Sequence, residues 1–398
     1  MLGATNALGS PRQLDHLGRS TVPPPINYGV ADDTGKFADD GGAWFAGMLK
    51  GANLTEERWT VRWDPTNPTS LGPDGVFIER AAPVAQLNGI HVVLALYARP
   101  GSAHDPTAFC AWAAQVASLV KQWGIDDYIV WNEPNTALYW SPQNAGSPAA
   151  YEELLAQCYD TIHAADANAR VIGFALSPRS NGPTQTAPIP FIKAVGAAYR
   201  TSGRTRPIMD QISLHPYPNP NSPTDGPDVG YPNPNFYGIP NLDRVKQAVY
   251  DAFNGTAQPT TLNGLTFRID ELGWQTDTTR YSQYFNQENV KVVSEQTQTS
   301  YIQKTVQKYL ACDPTVTDVE FFLLVDESSR NGKDKNGTAT GGGWQSGFLT
   351  AGGQSVSIPK ISYTQDAPVL ALGRAACAGL LIHWTPSAAS HTRTKARH

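Results

Sequence analysis

Charge is scarce in this chain. Only 16% of its 398 residues are Asp, Glu, Lys or Arg, against about 25% in an average soluble protein. The formal net charge is −5, so the basic surface that a phosphate backbone needs is missing, and nucleic acid is excluded as the main partner. Long apolar runs are missing too. No stretch of about 18 apolar residues occurs, so no transmembrane span is read. The first twenty residues lack the basic-then-apolar order of a signal peptide. Neither an H-E-x-x-H motif nor a Cys/His zinc spacing is present, so no metal site is expected. No Gly-rich phosphate loop follows a strand pattern and no G-x-S-x-G elbow occurs. No cofactor is expected.

Gly (35), Pro (31) and Trp (10) are plentiful instead. That profile suits a loop-rich, aromatic-lined extracellular protein. The hydrophobic share of 40% is enough for a large core. Eight short β-type runs occur at 26–30, 59–64, 91–98, 127–132, 170–177, 211–216, 267–272 and 319–325. Helical patterns alternate with them, near 43–57, 76–88, 106–123, 148–165, 189–200, 241–253, 291–311 and 367–382. Runs such as "HVVLALYA" and "EFFLLV" are apolar on both faces, as in a parallel sheet covered by helices. Eight βα units in order predict an α/β fold of the (β/α)8 TIM-barrel type, over an open doubly wound sheet. The barrel is expected over 26–383, with an N-terminal extension at 1–25, a basic tail at 384–398, both largely disordered, and no full second domain. Two loops are long: 216–240 after the sixth strand and 326–358 after the eighth. Their aromatics (Tyr217, Tyr231, Phe236, Tyr237, Trp344) are expected to wall a pocket. Asp32, Asp33, Asp39 and Asp40 cluster after the first strand and read as a solvated loop.

Four cysteines allow three full pairings. Cys110 and Cys158 fall on consecutive outer helices, and so do Cys312 and Cys377. Disulfides Cys110–Cys158 and Cys312–Cys377 are therefore expected, with four buried free thiols as the alternative. Pairing would indicate an oxidising compartment, and a secreted or cell-surface monomer is expected.

The chemistry concentrates in two short segments. Trp131-Asn132-Glu133-Pro134-Asn135 ends one strand, and Ile269-Asp270-Glu271-Leu272-Gly273-Trp274 ends another. Two carboxyl groups ending two strands of one barrel are what acid-catalysed glycoside cleavage needs: one protonates the leaving oxygen and the other attacks or stabilises the anomeric carbon. Glu133 is the candidate acid, with Trp131, Tyr139 and Trp140 near it in sequence. Glu271 is the candidate nucleophile. Asp270 is its rival, but neighbours on a strand point to opposite faces, so only one of the two is expected in the pocket. Arg62 can donate a fork to a carboxylate, and Tyr217 can add a hydroxyl.

"WNEPN" followed by "ELGW" after 138 residues (133 to 271) resembles the clan A glycoside hydrolases, most of all the β-xylosidase-like family thirty-nine and related bacterial exopolysaccharide hydrolases. The resemblance implies a retaining enzyme on a (β/α)8 barrel, with the acid/base Glu133 after strand four and the nucleophile Glu271 after strand seven. It also implies that Asn132 bonds the sugar 2-hydroxyl, that Arg62 holds Glu271, and that His215 and Tyr217 orient the carboxylates. Trp344 would floor the pocket, and Trp274 would contact substrate. The expected substrate is a β-linked oligosaccharide or polysaccharide of plant or microbial origin, cut internally. The alternatives are an exo-acting enzyme releasing single sugars and a silent glycan-binding barrel.

Overall fold

Each of the eight β-type runs becomes a strand in the computed structural model. It describes residues 23–99, 105–180, 182, 185–220, 224–276, 284, 291–328, 332–333, 339–340, 343–352, 354 and 356–387. Most of the expected N-terminal extension and basic tail lies outside these residues. The strands are β1 (Asn27–Ala31), β2 (Glu56–Trp63), β3 (His91–Ala98), β4 (Asp127–Val130), β5 (Arg170–Leu176), β6 (Gln211–Leu214), β7 (Thr266–Leu272) and β8 (Val316–Phe322). All pair in parallel with their sequence neighbours, and β8 pairs with β1 to close the barrel. No helix among the described residues is long and apolar enough to cross a membrane.

Helices follow the strands in turn: α1 (Ala43–Gly51), α2 (Gly72–Leu87), α3 (Pro106–Val120), α4 (Ser147–Ala165), α5 (Pro188–Ser202), α6 (Leu242–Phe253) and α7 (Glu295–Thr305). Their starts carry local signals. Pro stands in the first turn of α2 to α5, where its missing N–H is unpaired anyway. The side chains of Asp105 and Ser294 cap α3 and α7, satisfying an orphan N–H. The eighth helical segment differs from the expected 367–382. It starts earlier, at Ile361–Gln365, restarts at Ala367–Ala371 with Pro368 in its first turn, and ends in a 3-10 turn, Gly373–Ala376. Both expected disulfides are present. Cys110–Cys158 joins α3 to α4, and Cys312–Cys377 joins the segment after α7 to the end of that last helical turn.

Between barrel and helices the packing is apolar and notably aromatic. Rings touch in a chain behind β2 to β5: Trp63, Phe109, Trp131, Trp140, Tyr151, Phe174 and Phe191, with centroids 5.2–6.5 Å apart. Such pairs add about 0.5–1.5 kcal/mol each beyond buried area.

Inside the barrel the core is ionic, where this fold usually stacks Val, Ile and Leu. Arg268 on β7 is fully buried. It bonds Glu56 (3.0 Å), Asp127 (2.7 Å) and Gln211 (3.1 Å), contacts Glu320, and lies 3.5 Å from Asp318. Arg170 adds a second cation, with Nε bonding Asp127 at 2.7 Å. Burial raises Glu320 well above the carboxylate range, against the pull of Arg268. The charges explain a boundary the sequence hides. The helical pattern expected over 43–57 runs through Glu56 and Glu57, yet the helix ends at Gly51 and β2 starts at Glu56, because Glu56 and Arg58 meet charged partners inside the barrel.

A buried charge left without its partner costs about 3–5 kcal/mol. Arg268→Met is therefore expected to lower the unfolding free energy by about that amount, read from the shift in a denaturant unfolding midpoint. A variant as stable as wild type would mean that the carboxyl groups of this layer are neutral without the guanidinium.

Candidate active site

The backbone leaves strand geometry where β4 ends. Trp131 and Glu133 have φ of 70° and 40°, a region non-glycine residues seldom occupy and that costs about 1–3 kcal/mol per residue. Tertiary contacts hold the kink. The Trp131 N–H donates to Leu96 (2.8 Å), the Glu133 N–H donates to Ala175 (2.9 Å), and the Trp131 indole N–H donates to Tyr139 (3.0 Å). The Trp131 ring is thereby turned outward into the ring chain while Asn132 and Glu133 face the barrel mouth. Phe174 and Ala175 near the end of β5, and Leu323 just after β8, also have positive φ. Strain thus gathers at the carboxyl ends of the strands.

A bulge does the corresponding work on β7. Ile269 pairs with Val319 and Leu272 with Phe321, so three steps on β7 match two on β8. The extra residue breaks the alternation, and Asp270 and Glu271 both reach the same two partners inside the barrel. This corrects the expectation that one of them would face away. Asp270 is fully buried beneath, and the Glu271 side chain is 14% exposed above it.

Seven charged or polar groups then converge. Arg58 Nη1 donates to Glu271 Oε1 (2.8 Å), its Nη2 to Asn132 Oδ1 (3.0 Å), and its Nε lies 3.3 Å from Asp270. The Tyr217 hydroxyl donates to Glu271 Oε2 at 3.1 Å. His215 is fully buried at the centre. Its Nε2 is 3.1 Å from Asp270, and its Nδ1 is 3.1 Å from Glu133 Oε1 and 3.6 Å from Glu271 Oε2. Burial disfavours charge on this ring, but Asp270 and Glu271 outweigh it and lift His215 to about 10. The imidazole is therefore held as a cation at neutral pH, with Nδ1 donating to Glu133 and Nε2 in ion-pair contact with Asp270. Burial works against the charge of Asp270 as well, yet His215 and Arg58 hold that carboxyl below its usual range. Burial, and then the Glu271 carboxylate, push the Tyr217 phenol well up, so it remains a donor.

Of the residues expected from sequence, Asn132, Glu133, His215, Tyr217 and Glu271 come together. Trp344 joins them: its ring lies 5.6 Å from that of Tyr217 and 5.4 Å from that of Phe322. Its loop is fastened by the buried Lys360, whose Nζ donates to Asp326 (2.8 Å), Thr276 (2.9 Å) and the Gln345 carbonyl (2.9 Å).

Arg62 does not hold Glu271. It shares the inward parity of Arg58 but stands two residues higher on β2, about 6–7 Å along the strand, and its side chain is exposed at the rim. Trp274 is only 3% exposed; its indole N–H is committed to the Asp225 carbonyl and its ring to Tyr301. It packs beneath the surface and presents no face to a sugar. The aromatics of loop 216–240 also fold inward except Tyr217. Tyr231 is buried with its hydroxyl on the Tyr217 and Pro218 carbonyls, Phe236 packs edge-on against it, and Tyr237 is buried under His215. Trp131 and Trp140 pack edge to face behind the strand rather than over Glu133. The acidic cluster after β1 is solvated only at Asp39 and Asp40, which are exposed. Asp32 is buried and accepts the N–H groups of Thr34, Leu324 and Val325. Its carboxyl is lifted by burial to about 6. Asp33 accepts the Thr60 N–H, and Asp40 accepts those of Gly42 and Trp44 at the start of α1.

Sequence reasoning missed Arg58. Its signal was parity, two residues before Arg62 on the same face, hidden by the charged run around it. It also missed Tyr237, whose hydroxyl accepts the His215 N–H (3.1 Å) and donates to the Leu176 carbonyl. Tyr97 and Tyr139 were not singled out as a pair. They pack edge to face at 5.7 Å, with both phenols pushed up by burial and Tyr139 also by the nearby acids.

Comparison with protein-family models and with curated proteins finds no match. Solved structures do match. A monomeric beta-xylosidase from Caulobacter crescentus CB15 is 15% identical, with a TM-score of 0.52, over 88% of this chain and 70% of that one. A beta-glucosidase from Thermotoga maritima in complex with deoxynojirimycin is 11% identical, with a TM-score of 0.54, over 88% of this chain and 98% of that one. The virulence factor SghA from Agrobacterium tumefaciens is 13% identical, with a TM-score of 0.54, over 89% and 98%. What this chain shares with them at these identities is the fold, the closed parallel barrel of eight strands with its outer helices.

Proposed function

We propose that the chain is a retaining glycoside hydrolase that cleaves β-glycosidic bonds by double displacement. The observation that carries this reading is the convergence of Glu133 Oε1 and Glu271 Oε2 on one ring nitrogen, His215 Nδ1. The two contacts together bound the separation of those oxygens at about 6.7 Å, which admits the roughly 5–5.5 Å spacing of retaining sites and almost none of the roughly 6.5–9.5 Å of inverting ones. The names of the matching beta-xylosidase and beta-glucosidase structures support the same class.

The two glutamates take different roles because their surroundings differ. A nucleophile must be ionised, and Glu271 has a donor on each oxygen, Arg58 and Tyr217. Glu133 faces it across His215 and serves as acid/base. In the first step Glu133 protonates the glycosidic oxygen while Glu271 attacks the anomeric carbon. In the second Glu133 takes a proton from water, which displaces Glu271. The Asn132 carbonyl oxygen is occupied by Arg58, which leaves its amide N–H groups to meet the sugar 2-hydroxyl. Tyr217, Phe322 and Trp344 supply an apolar floor, and Tyr97 with Tyr139 a second wall.

We assign the substrate to neutral β-linked polysaccharide of plant or microbial origin, cut internally. Exo-action releasing single sugars is the second reading, favoured by the neighbours named for xylosidase and glucosidase activity. Two disulfides fit an oxidising compartment, and we place the protein outside the cytoplasm or at the cell surface, acting as a monomer without nucleic acid.

Wild type and Glu271→Gln, assayed on aryl β-glycosides and β-linked polysaccharides with products sized by mass spectrometry, test the reading. Oligosaccharides from a polymer, absent with the variant, are expected; single sugars would favour exo-action, and silence with intact glycan binding would favour a non-catalytic barrel. Glu133→Gln is expected to lose about 100- to 10,000-fold in rate, and Glu271→Gln at least as much. Azide is expected to rescue Glu271→Gly with an inverted product and Glu133→Ala with a retained one; the opposite pattern exchanges the roles. A further pair separates the two arginines. Arg58→Lys is expected to lower kcat/KM about 10- to 100-fold, since an ammonium cannot fork between Glu271 and Asn132. Arg62→Lys, at the exposed rim, is expected to change it by no more than about 2-fold.

A further inference from the structure

We propose that Asp270 is a positioning residue whose carboxylate against Nε2 holds His215 doubly protonated, with Nδ1–H directed to Glu133 and close to Glu271, so that protons in the reaction move on Glu133 alone. The inference rests on the hydrolase reading for its meaning but on the geometry of β6 and β7 for its support. Asp270 is shut away from any substrate: its side chain is 0% exposed. It nonetheless touches three groups of the site, Ser213 Oγ, Arg58 Nε (3.3 Å) and His215 Nε2 (3.1 Å). Regular alternation from Arg268 puts it inside the barrel, and the β7 bulge turns Glu271 to the same side above it.

The orientation of His215 decides what the site can do. Its Nδ1 stands within reach of both glutamates. A neutral ring with its lone pair on Nδ1 would repel two carboxylates and could accept the proton that Glu133 must deliver. A ring with a carboxylate behind Nε2 keeps both N–H bonds and does neither. The groups facing the ring are Asp270 and Glu271 from β7, Glu133 from the end of β4, Arg58 from β2 behind Asp270, and the Tyr237 hydroxyl on the His215 backbone N–H. Two cations, Arg58 and His215, thus balance two anions, Asp270 and Glu271, in the resting site, and Glu133 is left as the group whose proton the cycle moves.

An NMR titration of the imidazoles in the full chain tests this, with His215 signals identified by their loss in His215→Asn. Wild-type His215 is expected to stay doubly protonated past about pH 8, well above an ordinary histidine at about 6.5. Asp270→Asn is expected to lower its midpoint by about 1–3 pH units, and the alkaline limb of kcat/KM to move down with it. Ser213→Ala removes a hydrogen bond but no charge, and is expected to leave the midpoint in place. A wild-type His215 that loses its proton below about pH 8, or an Asp270→Asn protein in which it titrates as in wild type, overturns the proposal. If Asp270→Asn does not fold, the wild-type titration decides the question by itself. The NMR readout needs no substrate, so a protein that cleaves no glycoside would sink the hydrolase reading without touching this one. A working hydrolase with an ordinary His215 would do the reverse.

Discussion

Carboxyl groups crowded inside a closed barrel repel one another and lose the screening of water, so the barrel interior depends on the cations placed among them. Two buried arginines do this on two levels. Arg268 gathers Glu56, Asp127, Asp318 and Glu320 in the lower half. Arg58 gathers Asp270, Glu271 and Asn132 above it. The levels are linked through the backbone. Glu56 and Arg58 lie two residues apart on β2, and Arg268 and Asp270 lie two apart on β7, so the pairing that anchors the lower layer also sets the height of the upper one. A guanidinium suits both places because its fork meets several oxygens at once and it keeps its charge when buried. Arg268 closes the floor, and Arg58 brings the ends of β2, β4 and β7 to one point.

The strained residues at the strand ends follow from the same requirement. A side chain that ends a parallel strand points along the alternation, and neither Glu133 nor Glu271 reaches the centre of the mouth by alternation alone. The chain solves this twice by different means. After β4 it uses left-handed residues, held by the ring chain on one side and by strand hydrogen bonds to Leu96 and Ala175 on the other. On β7 it uses a bulge, stabilised by the two cations that Asp270 and Glu271 then share. Aromatic packing offsets the first distortion and charge pairing offsets the second.

Much of this was legible in the chain. Strand order and barrel type follow from hydrophobic periodicity, and the cysteine pairing from its place on consecutive helices, while the meeting of Glu133 and Glu271 with His215 and Tyr217 is what the family resemblance implied. What the chain hid has one physical cause: charged residues inside the barrel break the apolar pattern used to find strands. Glu56 fell within the helical pattern read over 43–57 and Arg58 outside any strand, so β2 appeared to start at Trp59 and Arg62 stood in for Arg58. The bulge was equally invisible, since nothing in Ile269-Asp270-Glu271-Leu272 marks an extra residue. The aromatics of 216–240 misled for another reason. Composition shows that a loop is rich in rings, but Tyr231 and Tyr237 spend them on burying its own backbone and that of His215.

The two glutamates begin as near equals, each at a strand end, each touching His215, with side chains 17% and 14% exposed. What divides them is which neighbours the distortions bring into reach. The bulge carries Glu271 between β2 and β6, where Arg58 and Tyr217 occupy one oxygen each. The left-handed turn leaves Glu133 on the far side of His215, where among the described residues the imidazole is its side-chain partner. Charge-assisted donors favour an ionised carboxylate. The difference in function proposed for the pair therefore comes from one inserted residue on β7 and not from the glutamates themselves. Asp270 keeps the inward place that alternation from Arg268 gives it, so the insertion sets Glu271 directly above the buried carboxylate behind His215.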